Sequence, residues 1–299
     1  ITNSPSDSYR VRNFITRGKY HHPMSGASIF QNPKSGSIKA TGEYQIVDEA
    51  GNILESVTDP KFCGCGLSKE KPFCDKSHAK YVEIVSTALE NARTCATPIP
   101  PFGTWPLRGF EIRKRTLENR IASGEKLVGV KYGVGLVHSK SDEKSYQGIF
   151  GFLTDAMEVQ ETLTLSNFIK PGAEAEFVFK LSKDLGQEIS VEVVMDFVSH
   201  VAAGIEVYDS RYSESAYISD AIADNASAGA YAIGDWVEAQ GLDLINASVS
   251  IYEHDDLKQT VAATAVGGNP WSAVSRMSSL LADAGVVLPA GSIIFSGSA

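Results

Sequence analysis

Three acidic side chains and one lysine have the types and spacing to do chemistry. In Glu174-Ala-Glu176-Phe-Val-Phe-Lys-Leu181, apolar residues recur at 175, 177, 179 and 181. That alternation predicts a β-strand with those four on one face. The same period of two sets Glu174 and Glu176 side by side on the opposite face. Adjacent carboxylates repel unless a cation lies between them. Glu206, in Val201-Ala-Ala-Gly-Ile-Glu206-Val-Tyr208, has apolar neighbours that suggest burial, and a buried carboxylate needs a partner. Three carboxylates around a hard divalent cation with open positions would supply one. The competing arrangement is a solvated strand face for Glu174 and Glu176, with Glu206 paired to a Lys or Arg. Lys131 interrupts the apolar run Leu127-Val-Gly-Val-Lys131-Tyr-Gly-Val-Gly-Leu-Val137. It either snorkels to water or stays desolvated, where it could transfer protons.

A second constellation is Cys63-Gly-Cys65-Gly-Leu-Ser68-Lys-Glu-Lys-Pro72-Phe-Cys74-Asp75-Lys-Ser-His78. Its spacing is C-x-C-x8-C-x3-H, an inventory of metal ligands. Zinc held by Cys3His is one possible occupant, although structural zinc usually takes C-x2-4-C pairs. The short step from Cys63 to Cys65 suits two thiolates on one iron. The segment resembles the CDGSH iron–sulfur domain at Cys63, Cys65, Ser68, Pro72, Cys74, Asp75 and His78. The resemblance implies a [2Fe–2S] cluster, with one iron on Cys63 and Cys65 and the other on Cys74 and His78, and hence a redox partner. An imidazole ligand would make the cluster more oxidising than an all-thiolate one and acid-labile. Lys76 stands where that family usually has Gly, so a positive φ there would be strained.

These residues need elements to position them. At 299 residues with a net charge of -9, the chain has length for about two domains. Residues 1–80 carry 11 Lys/Arg against 8 Asp/Glu, and the remainder 16 against 28, which supports a boundary near residue 80. The acidic part has no basic stripe, which argues against nucleic acid as a partner. No apolar run is long enough for a membrane span and the N-terminus lacks a signal-peptide core, so a reducing cytoplasm is expected. The chain begins with Ile rather than Met, as a fragment or a processed form would.

Residues 1–35 read as a polar arm, followed by a strand at 37–47, a turn at 48–52 and a return strand. Helices are expected over 79–92 and 107–123, with Gly124 ending the second, and another opening at Ser190. A hairpin is expected at 248–266, turning at His254-Asp255-Asp256. A helix capped by Asn269, with Pro270 in its first position, should bury Val274, Met277, Leu281 and Ala284 and end at Gly285. A last strand follows at 292–297.

Residues from about 85 onward resemble the 2-keto-4-pentenoate hydratase/4-oxalocrotonate decarboxylase family of the fumarylacetoacetase-like superfamily. The resemblance runs through Leu127 to Lys131, Phe150-Gly-Phe-Leu-Thr-Asp155, Pro171 to Glu176, Ile205 to Arg211, Ala223-Asp-Asn-Ala-Ser227, Gly268-Asn-Pro270 and Ser296-Gly297. It implies an α+β chain: a small β-rich iron–sulfur domain at 1–80, then a mixed-sheet domain with flanking helices at 81–299. It further implies Mg2+ or Mn2+ on Glu174, Glu176 and Glu206, active-site roles for Lys131, Ser227 and Asp155, a 2-oxo acid substrate and a homo-oligomer. The expected reaction is decarboxylation of 2-oxo-3-hexenedioate, the branch that Phe150 to Asp155 and Asp209-Ser-Arg211-Tyr212 resemble more closely. Hydration of 2-oxopent-4-enoate on the same metal is the alternative. An alternative of another class is an electron-transfer or redox-sensing protein on an inactive lyase scaffold. Two departures favour that last reading. Gly133-Val-Gly-Leu136 lacks two hydroxyls that relatives carry, and relatives continue through further strands beyond Ala299, whose absence is expected to leave an unpaired sheet edge.

Overall fold

The computed structural model describes residues 10–13, 28–31, 38–48, 50–63, 68–102, 106–137, 145–263 and 268–297. The chain separates into two compact units, Ile1–Val82 and Glu83–Ala299.

Among its described residues the first unit holds six short strands: β1 (Arg10–Asn13), β2 (Ser28–Gln31), β3 (Ile38–Thr41), β4 (Glu43–Val47), β5 (Ile53–Thr58) and β6 (Lys61–Phe62). They form two three-stranded sheets, β1-β4-β5 and β2-β3-β6. Within the expected arm at 1–35, the described residues 10–13 and 28–31 are strands, paired to the edges that β4 and β3 offer. The single strand expected at 37–47 is broken in two at Gly42, whose φ of 111° turns the chain. Ala40, Tyr44, Ile46 and Phe62 are buried together, with Phe73 stacked on Phe62.

The second unit is built on a seven-stranded sheet. Helices α1 (Tyr81–Thr94) and α2 (Pro106–Ala122) lead into β7 (Leu127–Val137) and β8 (Ser145–Thr154). Strands β9 (Gly172–Leu181) and β10 (Val198–Tyr208) follow, then α3 (Ile218–Ala223), β11 (Ala228–Ile233) and β12 (Val237–Glu238). The hairpin β13 (Ser248–Glu253) and β14 (Asp256–Ala262), α4 (Ser272–Ala284) and β15 (Ile293–Phe295) complete it. The sheet order is β11-β10-β9-β15-β7-β8, with β12 paired to β10.

Two sequence expectations are corrected here. The segment after Ser190 is a short 3-10 turn, Val191–Asp196, because Val198 already belongs to β10. Asn269 accepts from the Trp271 amide in a turn ahead of α4, and the helix itself begins at Ser272. The last strand forms as expected: β15 lies inside the sheet, parallel to β7 and antiparallel to β9.

The sheet curls so that its two edge strands approach one another. The Asn225 side chain, just ahead of β11, accepts from the Phe152 amide at 2.7 Å and donates to the Phe152 carbonyl at 2.9 Å. Tyr231 on β11 donates to the Thr154 carbonyl. Arg113 of α2 donates to the Phe150 carbonyl and lies 3.7 Å from that ring's centroid. These contacts satisfy backbone groups that an open edge would expose. Glycine makes the curl possible at Gly151, where a Cβ would sit 2.2 Å from the Asn225 carbonyl oxygen.

Both faces of the curled sheet are packed. Outside, Phe177, Phe179 and Leu181 meet Val274, Met277 and Leu281 of α4. Inside, Leu153, Val178, Ala202, Tyr231, Ile293 and Phe295 form a second apolar cluster. Each fully buried Leu, Ile or Phe contributes about 1.5–3 kcal/mol. The acidic residues occupy this inner face, beyond the apolar floor.

Candidate active site

Strand register brings the acids together. Glu206 on β10 lies directly opposite Glu174 on β9, and Gly204 opposite Glu176. Lys131 on β7 pairs with Phe295 on β15, which pairs with Val178 on β9. Paired residues share a face, so Lys131, Phe295, Val178, Glu176, Glu174 and Glu206 all point into the roll. Ligand atoms of Glu174, Glu176 and Glu206 lie within 4.8 Å of one another. At that separation each pair of negative charges repels by about 3 kcal/mol for an effective dielectric near 20.

Burial sharpens the conflict. Glu176 is 1% exposed and Glu206 is fully buried. Gly297 donates its amide to Glu176 Oε2 at 2.7 Å. Lys131, 4% exposed, places Nζ 2.7 Å from Glu206 Oε1, so it does not snorkel. Among the described residues no donor reaches Glu176 Oε1 or Glu206 Oε2. Desolvation first, and the Glu206 charge second, hold the Glu176 carboxyl well above the usual carboxylate range. Burial also raises Glu206, with Lys131 opposing the shift. One ammonium does not neutralise three carboxylates. The donor set, all carboxylate oxygen with two orphaned atoms, fits a hard divalent cation.

The acids open onto a cleft of about 240 Å³, lined by residues that include Lys131, Glu174, Tyr208 and Ser227, and by Ile149 and Ala226. Ser227 arrives on an unusual turn. Asn225, Ala226 and Ser227 all have left-handed backbone, with φ of 55°, 52° and 59°. Such geometry costs non-glycine residues roughly 1 kcal/mol or more each and needs outside support. The Asn225 amide provides part of it through Phe152. The rest comes from Asp224, buried and bound by Arg211, whose Nε donates at 2.5 Å to Asp224 Oδ1. Arg211 also donates to the carbonyls of Asp209, Ala228 and Asp224. Asp209 accepts from the Ile169 and Lys170 amides, just before β9.

Asp155 is the exception among the expected site residues. It is exposed, exchanges hydrogen bonds with the Lys126 backbone and does not line the cleft. Four residues beyond Gly151, the partner of Lys131, it stands about 13 Å further along the strand direction. Its role is to close the β7–β8 end. Gly297 and Asn225 were not singled out individually in the sequence, because backbone donation and edge capping leave no periodic signal. Asn, which tolerates left-handed backbone better than other non-glycine residues, was the available hint.

In the first unit, Cys63 and Cys74 are held on neighbouring segments. The Cys63 amide donates to the Pro72 carbonyl and the Cys74 amide to the Lys61 carbonyl. Asp75 accepts from the Lys69 and Ser77 amides at 3.0 and 2.8 Å, and these bonds lower its pKa to about 2. They fold the segment around Cys74 into the 3-10 turn Ser77–Lys80 that carries His78. Cys65 and the His78 side chain lie outside the described residues. Lys76 has φ 69°, the left-handed conformation that favours glycine.

A family model described as "Iron-binding zinc finger CDGSH type" matches residues 35–79. The rest of the chain matches enzymes. It is 34% identical over 219 residues to 2-hydroxyhexa-2,4-dienoate hydratase of Comamonas testosteroni, covering 71% of this chain and 83% of that protein. It is 32% identical over 193 residues to 4-oxalocrotonate decarboxylase of Pseudomonas sp. (strain CF600), covering 63% and 72%. In solved structures, 4-oxalocrotonate decarboxylase from Pseudomonas putida G7, complexed with magnesium and adipate, is 25% identical with a TM-score of 0.66. That alignment covers 74% of this chain and 88% of the decarboxylase. Fold and relatives together define a class of hydratase and decarboxylase enzymes. The chain belongs to the 2-keto-4-pentenoate hydratase/4-oxalocrotonate decarboxylase family.

Among the described residues, no helix is long and apolar enough to cross a membrane.

Proposed function

We propose that the chain is a divalent-metal-dependent lyase acting on a 2-oxo (di)enoate, with Glu174, Glu176 and Glu206 holding Mg2+ or Mn2+. The observation that carries this reading is the convergence of three carboxylates, two of them buried and short of donors. A bound cation supplies Lewis-acid stabilisation of the negative charge that develops on the substrate's 2-oxo oxygen. Gly297 fixes the Glu176 carboxylate by its amide. Lys131 Nζ, oriented by Glu206, borders the cleft and is placed to pass a proton to or from a substrate carbon. Ser227 and Ala226 form the wall facing it.

Two reactions fit this machinery. In decarboxylation the bond to a far carboxylate breaks, CO2 leaves, and the electron pair left behind takes up a proton. In hydration the 2-hydroxyl gives up its proton as another adds to the terminal diene carbon, leaving a 2-oxo-3-enoate; water then adds its hydroxyl to C4 and a proton to C3. The sequence preference for decarboxylation rested on segments 150–155 and 209–212. Asp155, Asp209 and Arg211 spend their polar groups on backbone and on Asp224, so they do not discriminate between substrates. We therefore favour hydration, which the 34% identical hydratase supports. Decarboxylation is the second reading, supported by the solved decarboxylase structures.

The test is turnover of 2-hydroxypenta-2,4-dienoate and of 2-oxo-3-hexenedioate, each with Mg2+ and with EDTA. Metal-dependent loss of the first establishes the hydratase, and of the second the decarboxylase. Equal rates in EDTA would overturn the metal-dependent reading, and absence of both reactions beside a reducible cluster would favour the redox alternative.

For the first unit we propose a [2Fe–2S] cluster on Cys63, Cys65, Cys74 and His78, supported by the iron-binding family match and by the Asp75 bonds that pre-form the Cys74 segment. Lys76→Gly should relieve left-handed strain, a net gain of about 0.5 kcal/mol after glycine's greater unfolded-state entropy. Iron release to a chelator during warming should then move to higher temperature, and an unchanged or lower release temperature would refute the strain argument.

A further inference from the structure

The first unit keeps its excess positive charge in one place. Residues 1–60 hold six Lys/Arg and six Asp/Glu, whereas residues 61–80 hold five lysines against Glu70 and Asp75. Asp75 is consumed, since its carboxylate accepts from the Lys69 and Ser77 amides. Strand register shows which way two of the lysines face. Lys39 on β3 lies directly opposite Lys61 on β6. Phe62 is bridged to Phe73 in antiparallel register, which sets Lys61 opposite Cys74, and the Cys74 amide donates to the Lys61 carbonyl at 2.8 Å. Paired residues share a face, so Lys39, Lys61 and Cys74 stand in one row on one side of this sheet. Cys63, two residues after Lys61, returns to the same side. Ile38, Ala40, Phe62 and Phe73 alternate with them and pack into the core on the other. Lys39, Lys61, Lys69, Lys71, Lys76 and Lys80 are all exposed, and among the described residues none of them forms an ion pair. Like charges directly opposite on paired strands destabilise a sheet, so folding gains nothing from setting Lys39 against Lys61.

We propose that this lysine face is the docking surface for an acidic one-electron carrier protein, which meets the first unit over Cys63 and Cys74. The inference rests on the [2Fe–2S] reading above and adds the chemistry of the partner. Phosphate is held best by the arginine fork, and single-stranded nucleic acid needs exposed aromatic rings as well. Residues 61–80 contain no arginine, and their two phenylalanines, Phe62 and Phe73, lie on the core side. Lysines are flexible, strongly hydrated point charges, suited to a wet encounter with surface carboxylates. Redox complexes bury little surface and are weak, so attraction at a distance has to deliver the partner to the right face. One electron then passes from the carrier, which is oxidised, to the cluster, which is reduced, and no covalent bond is made or broken.

The test uses the full chain purified without oxygen, its visible spectrum and metal content recorded, and titrated with flavodoxin, an acidic flavin carrier. Binding is expected at low salt and should weaken steeply as salt is added, because exposed charges are screened. Lys39→Gln/Lys61→Gln should keep the cluster spectrum and melt no lower than the parent, since a like-charge pair is relieved. It should bind flavodoxin about tenfold more weakly at low salt, and reduced flavodoxin should reduce its cluster more slowly in parallel. Lys114→Gln, on α2, should bind as the parent does. Equal affinity in the parent and the double variant, or affinity indifferent to salt, would overturn the proposal and leave the cluster standing. Tighter binding of a single-stranded oligonucleotide or of phosphatidylserine vesicles, lost in the double variant, would assign the face to phosphate and overturn it too. Zinc in place of iron would remove the cluster reading and the electron carrier with it. Metal analysis alone tells that outcome from a failure to dock.

Discussion

Glu176→Gln is expected to lower Mg2+-dependent turnover by about 10³-fold while making the metal-free protein more stable. The activity loss follows from removing a charged ligand from a site whose cation supplies several kcal/mol of charge stabilisation. The stability gain follows from the same geometry. Glu176 is almost fully buried, within 4.8 Å of Glu174 and Glu206, and its pKa is raised by desolvation and by Glu206. A carboxyl whose folded pKa lies above its ordinary 4.5 binds its proton more tightly folded than unfolded. Its contribution to stability is complete below the unfolded value and is lost as pH rises through the folded one. The metal-free wild type should therefore lose stability on going from pH 5 to pH 8. Added Mg2+ should raise Tm more at pH 8, where it no longer competes with the proton. Glutamine keeps the shape and can still accept from the Gly297 amide, but carries no charge to repel its neighbours. Scanning calorimetry at both pH values, with and without Mg2+, reads all of this. If Glu176→Gln kept a wild-type Mg2+ shift in Tm at pH 8, Glu176 would not be a ligand.

The spacing of Glu174 and Glu176 was legible in the sequence because a strand's period of two is local and leaves an alternating trace. That Glu206 would stand opposite Glu174 was not, since register between β9 and β10 depends on two segments that meet only in the fold. Lys131 shows the same limit. Its apolar neighbours fit a snorkelling side chain or a buried one equally well, and only the curl of the sheet over Phe295 decides for burial. The loops misled in the opposite direction. Asp155 was expected at the site, yet its carboxylate and its amide are both taken up by the Lys126 backbone. The Val191 segment carried a helical pattern but is cut short by β10.

Arg211→Met should cost about 3–5 kcal/mol of stability, the loss typical of breaking one side of a buried ion pair. Arg211 and Asp224 are 3% and 2% exposed. Every donor that the guanidinium gives is aimed at Asp224 or at the carbonyls of Asp209 and Ala228. Methionine fills a similar volume but leaves the Asp224 carboxylate without its counter-charge. Burial already pushes the Asp224 pKa up and Arg211 opposes that push, so the variant's Asp224 should rise further. By the linkage argument applied to Glu176, the destabilisation grows as pH increases above the ordinary carboxylate range. At 2–4 °C per kcal/mol for a unit of this size, Tm should fall by roughly 6–20 °C at pH 8 and by less at pH 5. Arg211→Met/Asp224→Leu, which removes both charges, should regain much of the loss. The site is affected as well, because three consecutive left-handed residues have no reason to persist once Asp224 lets go of them. Ser227 and Ala226 would leave the cleft wall, and turnover should fall even at temperatures where the variant is folded. Glu174, Glu176 and Glu206, held by β9 and β10, should still bind Mg2+ in that folded state. A variant that lost less than about 1 kcal/mol, or whose loss did not depend on pH, would mean that the turn is held by Asn225 alone. The electrostatic arm that joins Asp209 to the strained turn would then be dispensable.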